Sequence, residues 1–327
     1  MPARKTFRLL VGVALAGLFV WLTLRQVDLA LIGQALGGAR VDYVVAAIAL
    51  LCAGYACRIA RWRIMLARDN PALRWADCAG PLLAGFAANN VLPFRAGDLL
   101  RALAFNGRMG TAAGAVLATL FVERLLDLLM MLLLLGVALW TFDFNLDGLL
   151  GFGGPVLVAT ACGILIVLLF PAVLKPVARA LGIVAVRLPA AARLQAELDK
   201  ATGMLGLLAG GRIMAGLIAW SGAAWLAEGG VYWLAALSLE SIATPAGGWL
   251  ALPVGTLATL IPSTPGYIGT FDYFTAQAMT TAGNEKTASA AYAFLVHVIL
   301  WLPPTVLGGL YLVLRPARRS APKEPVA

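Results

Sequence analysis

The sequence predicts an all-α polytopic membrane protein with about six full spans and two opposed re-entrant helical hairpins that form an inverted repeat. Three observations lead to this fold class. Of the 327 residues, 61% are hydrophobic and only 13% are charged, and the mean hydropathy is +0.87. Apolar runs recur along the whole length, and the basic residues between them are clustered. A soluble fold cannot bury this much apolar surface, so we interpret residues 1–327 as a single integral membrane domain.

The long apolar runs are the predicted spans. Residues 156–174 and 287–314 contain no Asp, Glu, Lys or Arg, and residues 213–239 contain only Glu228. A helix needs about 20 predominantly apolar residues to cross the hydrocarbon core of a bilayer. The runs therefore predict spans at about 8–24, 42–60, 111–141, 155–172, 213–238 and 287–314.

The placement of the basic residues predicts the orientation. The net charge is +9, and Lys and Arg cluster at 4–8, 58–108, 175–212 and 315–323, whereas the loops around 141–154 and 240–248 contain neither. Positive charge favours the cytoplasmic side, so both termini are expected there. The cytoplasmic parts include an amphipathic interfacial helix at about 189–209 and a basic tail at 315–327. Topology accounts for the basic charge, so no nucleic-acid partner is expected.

Two segments, at about 76–104 and 247–275, differ from the spans in length and composition. Both are short, apolar and rich in small residues, and prolines interrupt them: Pro81 and Pro93 in the first, Pro253, Pro262 and Pro265 in the second. Basic residues flank the first segment on both sides but not the second. We therefore expect the first hairpin to enter from the cytoplasm and the second from outside, with a substrate site between them near the midplane.

A polar cluster marks the exit of the first hairpin. It consists of Asn89, Asn90, Pro93, Arg95, Gly97, Asp98 and Arg101. Arginine forks suit phosphate oxygens, so one interpretation is an anion clamp for a lipid headgroup, with Arg95 and Arg101 facing one cavity. The other is a capped loop in which Asp98 neutralises one arginine.

Three charges lie inside the apolar run at 111–141. Glu123 and Asp127 share a helix face at i and i+4, and Arg124 reaches Asp127 at i+3. Charges within a span normally face the bundle interior and mark a pathway or a proton site. The alternatives are a coupling or gating role and a structural Arg124–Asp127 pair that holds two helices together.

Glu228 lies near the middle of its predicted span, among tryptophans and tyrosines. A carboxylate at this depth is either protonated or paired with a cation, and Arg124 is the partner we would suggest. Either state would suit a functional role in the bundle.

The second hairpin contains IPSTPGYIGTFDYF at residues 261–274. Pro265 and Gly266 predict a turn, and Thr270 is expected to cap a helix that carries Asp272. The N–H groups at the start of that helix would face an anionic group.

A further cluster ends the second predicted span. Arg58 and Arg61 can share a helix face at headgroup level, where they either snorkel or bind lipid phosphate, and Trp62 is expected to be an interfacial anchor.

The sequence gives little sign of catalysis. The one histidine, His297, lies in an apolar run and is expected to be a satisfied bundle residue. No metal-ligand spacing, nucleophile elbow or His/Asp cluster is present, so no enzyme activity, metal or cofactor is expected.

Four of these stretches together resemble the lysylphosphatidylglycerol synthase transmembrane region, a flippase-like family. Its motifs, as they stand here, are Arg-x-x-Arg-Trp at Arg58 to Trp62, the stretch with Asn90, Pro93, Arg95, Gly97 and Arg101, the Arg124 and Asp127 pair, and the late stretch with Pro262, Pro265, Gly266, Gly269 and Phe271. Two acidic positions hold Asp98 and Asp272 where the family has glutamate. Tyr267 replaces a glycine, which narrows the turn.

The resemblance implies a function and a location. It implies movement of an amphipathic, phosphate-bearing lipid across the bacterial cytoplasmic membrane: a polyisoprenyl-phosphate-linked sugar, an aminoacylated phospholipid or a hopanoid-related lipid. The alternative is a non-transporting partner of a glycosyltransferase or a lipid-modifying enzyme. Because the sequence ends in a short basic tail, we do not expect the aminoacyltransferase domain of the bifunctional relatives. The polar clusters and the family motifs together give the expected substrate-binding residues: Asn90, Arg95, Asp98, Arg101, Glu123, Arg124, Asp127, Glu228, Pro265, Gly266 and Asp272.

Overall fold

The structure is a computed structural model that describes residues 21, 29–92, 96–141, 147–174, 176, 191–261 and 264–314. Within these residues the chain is helical and contains no strand. The helices, numbered in chain order, are α1 Leu29–Gly37, α2 Val41–Leu66, α3 Trp75–Val91, α4 Ala96–Ala104, α5 Asn106–Met109, α6 Ala113–Thr141, α7 Asp147–Leu169, α8 Ala191–Leu208, α9 Gly211–Leu237, α10 Gly248–Ala258, α11 Thr270–Thr281 and α12 Lys286–Leu314. The all-α fold class is confirmed for this part of the chain.

Two of these helices, α2 and α12, are each long and apolar enough to cross a membrane. A third span results if Asp199–Leu208 and Gly211–Leu237, which meet at a bend of 85°, count as one. Helix α8 ends at this bend, within the stretch predicted to be interfacial. The first predicted span, about 8–24, lies outside the described residues except for Trp21. The total of six spans stays a prediction.

The described residues divide into two compact units. The first unit comprises the described parts of Met1–Cys57, Asp127–Cys162 and Ser221–Pro303, and the second those of Arg58–Leu126, Gly163–Trp220 and Pro304–Ala327. Each unit contains one pair of short helices that pack on each other. These pairs are α10 with α11 in the first unit and α3 with α4 in the second.

Both predicted hairpin segments are therefore pairs of short, packed helices, but two of the expected proline breaks are wrong. Helix α3 continues through Pro81 and helix α10 through Pro253. Proline inside a helix removes one backbone hydrogen bond, and neighbouring packing in a bundle can accommodate this loss. Pro93 and Pro262 lie outside the described residues. The re-entrant position of the two pairs in a membrane stays a prediction.

The start of α12 shows how one spanning helix is capped. The Glu285 carboxylate accepts a hydrogen bond from the Ala288 N–H at 3.1 Å. Hydrogen bonds from the backbone N–H groups of Thr287 and Ala288 hold the pKa of Glu285 below its usual range. A negative charge here also suits the helix dipole, so Glu285 fixes where the helix begins.

Candidate functional site

A buried ion pair joins α4 to α6 in the second unit. Arg101 donates from Nη1 to Glu123 Oε1 at 3.1 Å and from Nη2 to Glu123 Oε2 at 3.0 Å. The two side chains are only 1% and 2% exposed. A bidentate pair of this kind is strongly oriented, and separating its partners would leave a charge buried. Arg101 is therefore already engaged by a carboxylate.

A second guanidinium group shares the same carboxylate. Arg124 Nη2 donates to Glu123 Oε1 at 2.6 Å, and the Arg124 side chain is 36% exposed. The charge of Arg61, itself buried, also acts on Glu123. Glu123 thus lies at the centre of a guanidinium cluster formed by Arg61, Arg101 and Arg124, and Arg124 is its most exposed member.

The Trp62 ring packs against the Arg101 guanidinium group of this cluster. Its ring centroid lies 4.1 Å from the Arg101 guanidinium carbon, a cation–π geometry. Its indole Nε1 donates to Thr119 Oγ1 at 3.0 Å, and Thr119 Oγ1 donates to the Val116 carbonyl at 2.7 Å. The expectation of an interfacial anchor is wrong, because Trp62 is fully buried. Arg58 and Arg61 are buried as well, rather than snorkelling.

The Asn89 side chain links α3 to α4 through hydrogen bonds. Its side-chain oxygen accepts the Gly97 N–H at 2.7 Å, and its amide nitrogen donates to Asp98 Oδ1 at 3.1 Å. Asp98 lies in the first turn of α4, as predicted, and this contact is with an amide rather than with an arginine. Gly85 and Gly97 let the two helices approach, since a Cβ at Gly97 would collide with the Gly85 carbonyl. A Cβ at Gly85 would lie 2.5 Å from Arg101 Cδ, so the same glycine makes room for the buried arginine.

Asn90 faces α12 within the second unit. Its amide nitrogen donates to Thr305 Oγ1 at 2.7 Å. Further along the same contact, Gly308 lies against the Leu83 backbone and Gly80 against the Tyr311 ring. Asn90 therefore contributes to helix packing in this structure. Arg95, the other arginine of the expected clamp, lies outside the described residues.

Two further carboxyl groups of the expected site, those of Asp127 and Glu228, lie in the first unit. Asp127 is buried and accepts a hydrogen bond from Trp225 Nε1 at 3.1 Å. Glu228 follows three residues after Trp225 on α9 and is half-buried. Tyr232 lies four residues further along the same helix. The sequence missed the Trp225 contact because nothing local links residues 98 positions apart.

The turn between α10 and α11 has an unusual backbone. Gly266 has φ 72°, Gly269 has φ 89° and Tyr267 has φ 60°. Pro265 opens a short 3₁₀ helix, Pro265–Tyr267. The predicted cap at Thr270 is wrong, because Gly269 occupies the cap position and Asp272 Oδ2 accepts the Gly269 N–H at 2.8 Å. Thr270 is buried and donates to the Tyr267 carbonyl at 3.1 Å.

His297 of α12 joins this turn to Asp272. Its Nδ1 lies 2.7 Å from Asp272 Oδ1, and its Nε2 lies 3.0 Å from the Gly266 carbonyl oxygen. The Phe271 ring packs edge-on against the imidazole at a centroid distance of 5.0 Å. The expectation that His297 is a satisfied bundle residue is confirmed, since both ring nitrogens have partners, but the sequence did not reveal its pairing with Asp272.

The family model of the lysylphosphatidylglycerol synthase TM region matches residues 9–308, nearly the whole chain. The chain belongs to this family. No curated protein matches it. The family is a membrane domain associated with lipid flippase-like function, and the protein is accordingly a membrane protein.

The match to the family model includes every residue of the expected site, since all of them lie within residues 9–308. The structure groups the described ones in three places. The α3–α4 pair and the guanidinium cluster, in the second unit, contain Asn90, Asp98, Arg101, Glu123 and Arg124. Asp127 and Glu228 lie in the parts of α6 and α9 that belong to the first unit, and Pro265, Gly266 and Asp272 lie in or beside the turn between α10 and α11.

Proposed function

We propose that this chain moves a phosphate-bearing anionic lipid between the two leaflets of the bacterial cytoplasmic membrane. The substrate class includes polyisoprenyl-phosphate-linked sugars, aminoacylated phospholipids and hopanoid-related lipids. The observation that carries the proposal is the guanidinium cluster, in which Arg101 and Arg124 bond the single carboxylate of Glu123.

The charge balance of these three side chains favours an anion. Two guanidinium groups share the carboxylate of Glu123 in a low-dielectric bundle, where electrostatic attraction to a phosphate is much stronger than in water. Arg101 is held bidentately and almost fully buried, so it is a poor candidate to exchange partners. Arg124 is the more exposed and makes a contact to one carboxylate oxygen, so it is the group we expect to turn to a phosphate.

The same cluster suits transport better than tight binding. A transported lipid must leave the site as readily as it enters it. Glu123 offers Arg124 an internal partner whenever the phosphate departs, so neither state leaves a buried charge unpaired. In this proposal the lipid chains stay in the bilayer, and the protein makes or breaks no covalent bond.

The architecture we propose follows from the two units. Each contains one pair of short packed helices, α3–α4 or α10–α11, as an inverted repeat requires. In the proposed architecture the pairs enter the membrane from opposite faces, the chain has about six full spans, and both termini are cytoplasmic. The lipid headgroup then crosses at the level of the cluster.

The proposal is tested by reconstituting the protein into liposomes and measuring the transbilayer movement of headgroup-labelled lipids. We expect phosphate-bearing lipids to equilibrate faster than in protein-free vesicles, and the uncharged lipid with the same chains to gain little. Arg124→Gln should slow this movement by about tenfold or more, as loss of one charge-assisted contact implies.

Arg40→Gln is the matched control, because Arg40 is an exposed arginine that pairs with Asp42 near the start of α2. This variant should move lipid at the wild-type rate. If the wild-type protein moves no phosphate-bearing lipid of the three classes, the proposal fails.

A further inference from the structure

We propose that Asp272 and His297 form a proton-binding site whose occupancy holds the turn between α10 and α11 in place, and that proton binding there is coupled to lipid movement. The inference rests on the proposed function, to which it adds the proton as the coupled ion. It is carried by the chain of contacts from Asp272 through the imidazole to the Gly266 carbonyl.

The proton count follows from the donors and acceptors. A carbonyl oxygen only accepts, so His297 Nε2 must carry the proton of the 3.0 Å contact to Gly266. The 2.7 Å contact between Nδ1 and Asp272 Oδ1 needs one more proton, on either the ring or the carboxyl group. The arrangement therefore contains two protons, and the two contacts are satisfied only when both are present.

Removal of one proton breaks the arrangement. If the remaining proton is on Nε2, the Nδ1 lone pair faces a carboxylate oxygen. If it is on Nδ1, the Nε2 lone pair faces the Gly266 carbonyl oxygen. In either case two acceptors oppose each other, and one contact must be given up. Proton loss thus releases His297 from Asp272 or from the turn.

The backbone conformation of the turn requires contacts that hold it in place. Tyr267, a residue with a side chain, has φ 60°, and the glycines at 266 and 269 also have positive φ. Residues other than glycine adopt this region at a cost, and they persist there where the surroundings impose it. His297 binds one end of the turn at the Gly266 carbonyl, and Asp272 binds the other at the Gly269 N–H. Both ends are therefore tied to the same imidazole–carboxyl pair.

The surrounding elements contribute few other titratable groups. Tyr232 of α9 packs edge-on against Phe271 at 6.4 Å, and Glu228 lies one turn before it. The turn itself carries Tyr267, α11 carries Tyr273, and α12 carries Tyr292, whose hydroxyl donates to the Tyr232 carbonyl. Helix α10 carries no titratable side chain. Glu228 is the other carboxyl group in this set, so a test must separate its titration from that of the pair.

The chain has one histidine, which makes the proton directly observable. The protein is labelled with ¹⁵N-histidine, purified with a tag that lacks histidine, reconstituted into liposomes and measured by NMR. Because the chain has one histidine, both ring-nitrogen signals belong to His297. Below the transition we expect Nε2 to be protonated and Nδ1 to be in a strong hydrogen bond. Raising the pH should remove one proton in a single step in wild type and in Glu228→Gln, and Asp272→Asn should alter that step. Titration identical in wild type and Asp272→Asn would overturn the inference.

Coupling is measured as lipid movement with and without a pH gradient. His297→Gln retains a donor for Gly266, and His297→Asn retains one for Asp272, but neither side chain titrates. In wild type we expect the gradient to change the rate by about fivefold or more, as a coupling of 1 kcal/mol implies, and in both variants the effect should vanish. If wild type moves lipid with no dependence on the gradient, the inference fails and the proposed function stands. If the NMR step is present but no lipid moves, the proposed function fails.

Discussion

The buried pair between Arg101 and Glu123 gives the sharpest stability prediction. Replacing Arg101 with methionine keeps the long apolar stem and removes both hydrogen bonds, at 3.0 and 3.1 Å, together with the stacking over Trp62 at 4.1 Å. Breaking one partner out of a buried pair costs about 3–5 kcal/mol. Arg124 still neutralises part of the Glu123 charge, so we expect the lower end, about 3 kcal/mol of unfolding free energy.

The assay is reversible unfolding in mixed detergent micelles, followed by the loss of helical circular dichroism. Arg124→Met is the matched variant. Its side chain is 36% exposed, so solvent screens its pairing with Glu123 and its loss should cost about 1 kcal/mol or less. The double variant Arg101→Met with Glu123→Met should not recover the loss, because Arg124 and the buried Arg61 then lose the carboxylate at the centre of the cluster. Equal losses in the two single variants, or an unchanged Arg101→Met protein, would refute this account of the cluster.

Three other predictions test the packing and the caps. Asn89→Leu leaves the buried Gly97 N–H without its acceptor and should cost about 1–3 kcal/mol in the same unfolding assay, whereas Asp98→Asn, which leaves that acceptor in place and keeps an oxygen for the Asn89 amide, should cost less. Gly308→Ala should lower the thermal midpoint because its Cβ meets the α3 backbone, while Gly309→Ala, with nothing within 4 Å, should leave it unchanged or raise it; similar effects at both would count against this packing. Glu285→Gln should lower the midpoint at neutral pH, and the difference from wild type should shrink on acidification: the folded pKa is depressed, so the carboxylate stabilises above its unfolded pKa of about 4.3 and loses this effect as the pH falls through the folded value. A difference in thermal midpoint between wild type and Glu285→Gln that does not depend on pH would contradict the prediction for Glu285.

The sequence predicted the helical class because the signal is local. Apolar runs long enough to span, and charges placed between them, are read from neighbouring residues. The two pairs of short helices were found for the same reason, since proline and polar residues interrupt both segments. Pro81 and Pro253 misled because the loss of one hydrogen bond does not by itself end a helix that neighbours support.

The contacts of the candidate site are not local, and the sequence did not give them. Residues 101 and 123 belong to different helices, so the pair Arg101–Glu123 could not be distinguished from local pairings of the same charges. Trp62 was assigned to the membrane interface on a general preference of tryptophan, whereas a buried arginine holds its ring. The pairing of His297 with Asp272 joins positions 25 residues apart and depends on how α11 and α12 pack.

The central claim is that the guanidinium cluster around Glu123 binds lipid phosphate inside the bundle. Mass spectrometry of the lipids retained by gently purified protein tests it most directly, with wild type beside Arg124→Gln and Arg40→Gln. We predict that wild type and Arg40→Gln retain one phosphate-bearing lipid class well above its share of the membrane, and that Arg124→Gln loses this enrichment. The same bulk lipid composition in all three proteins would contradict the claim.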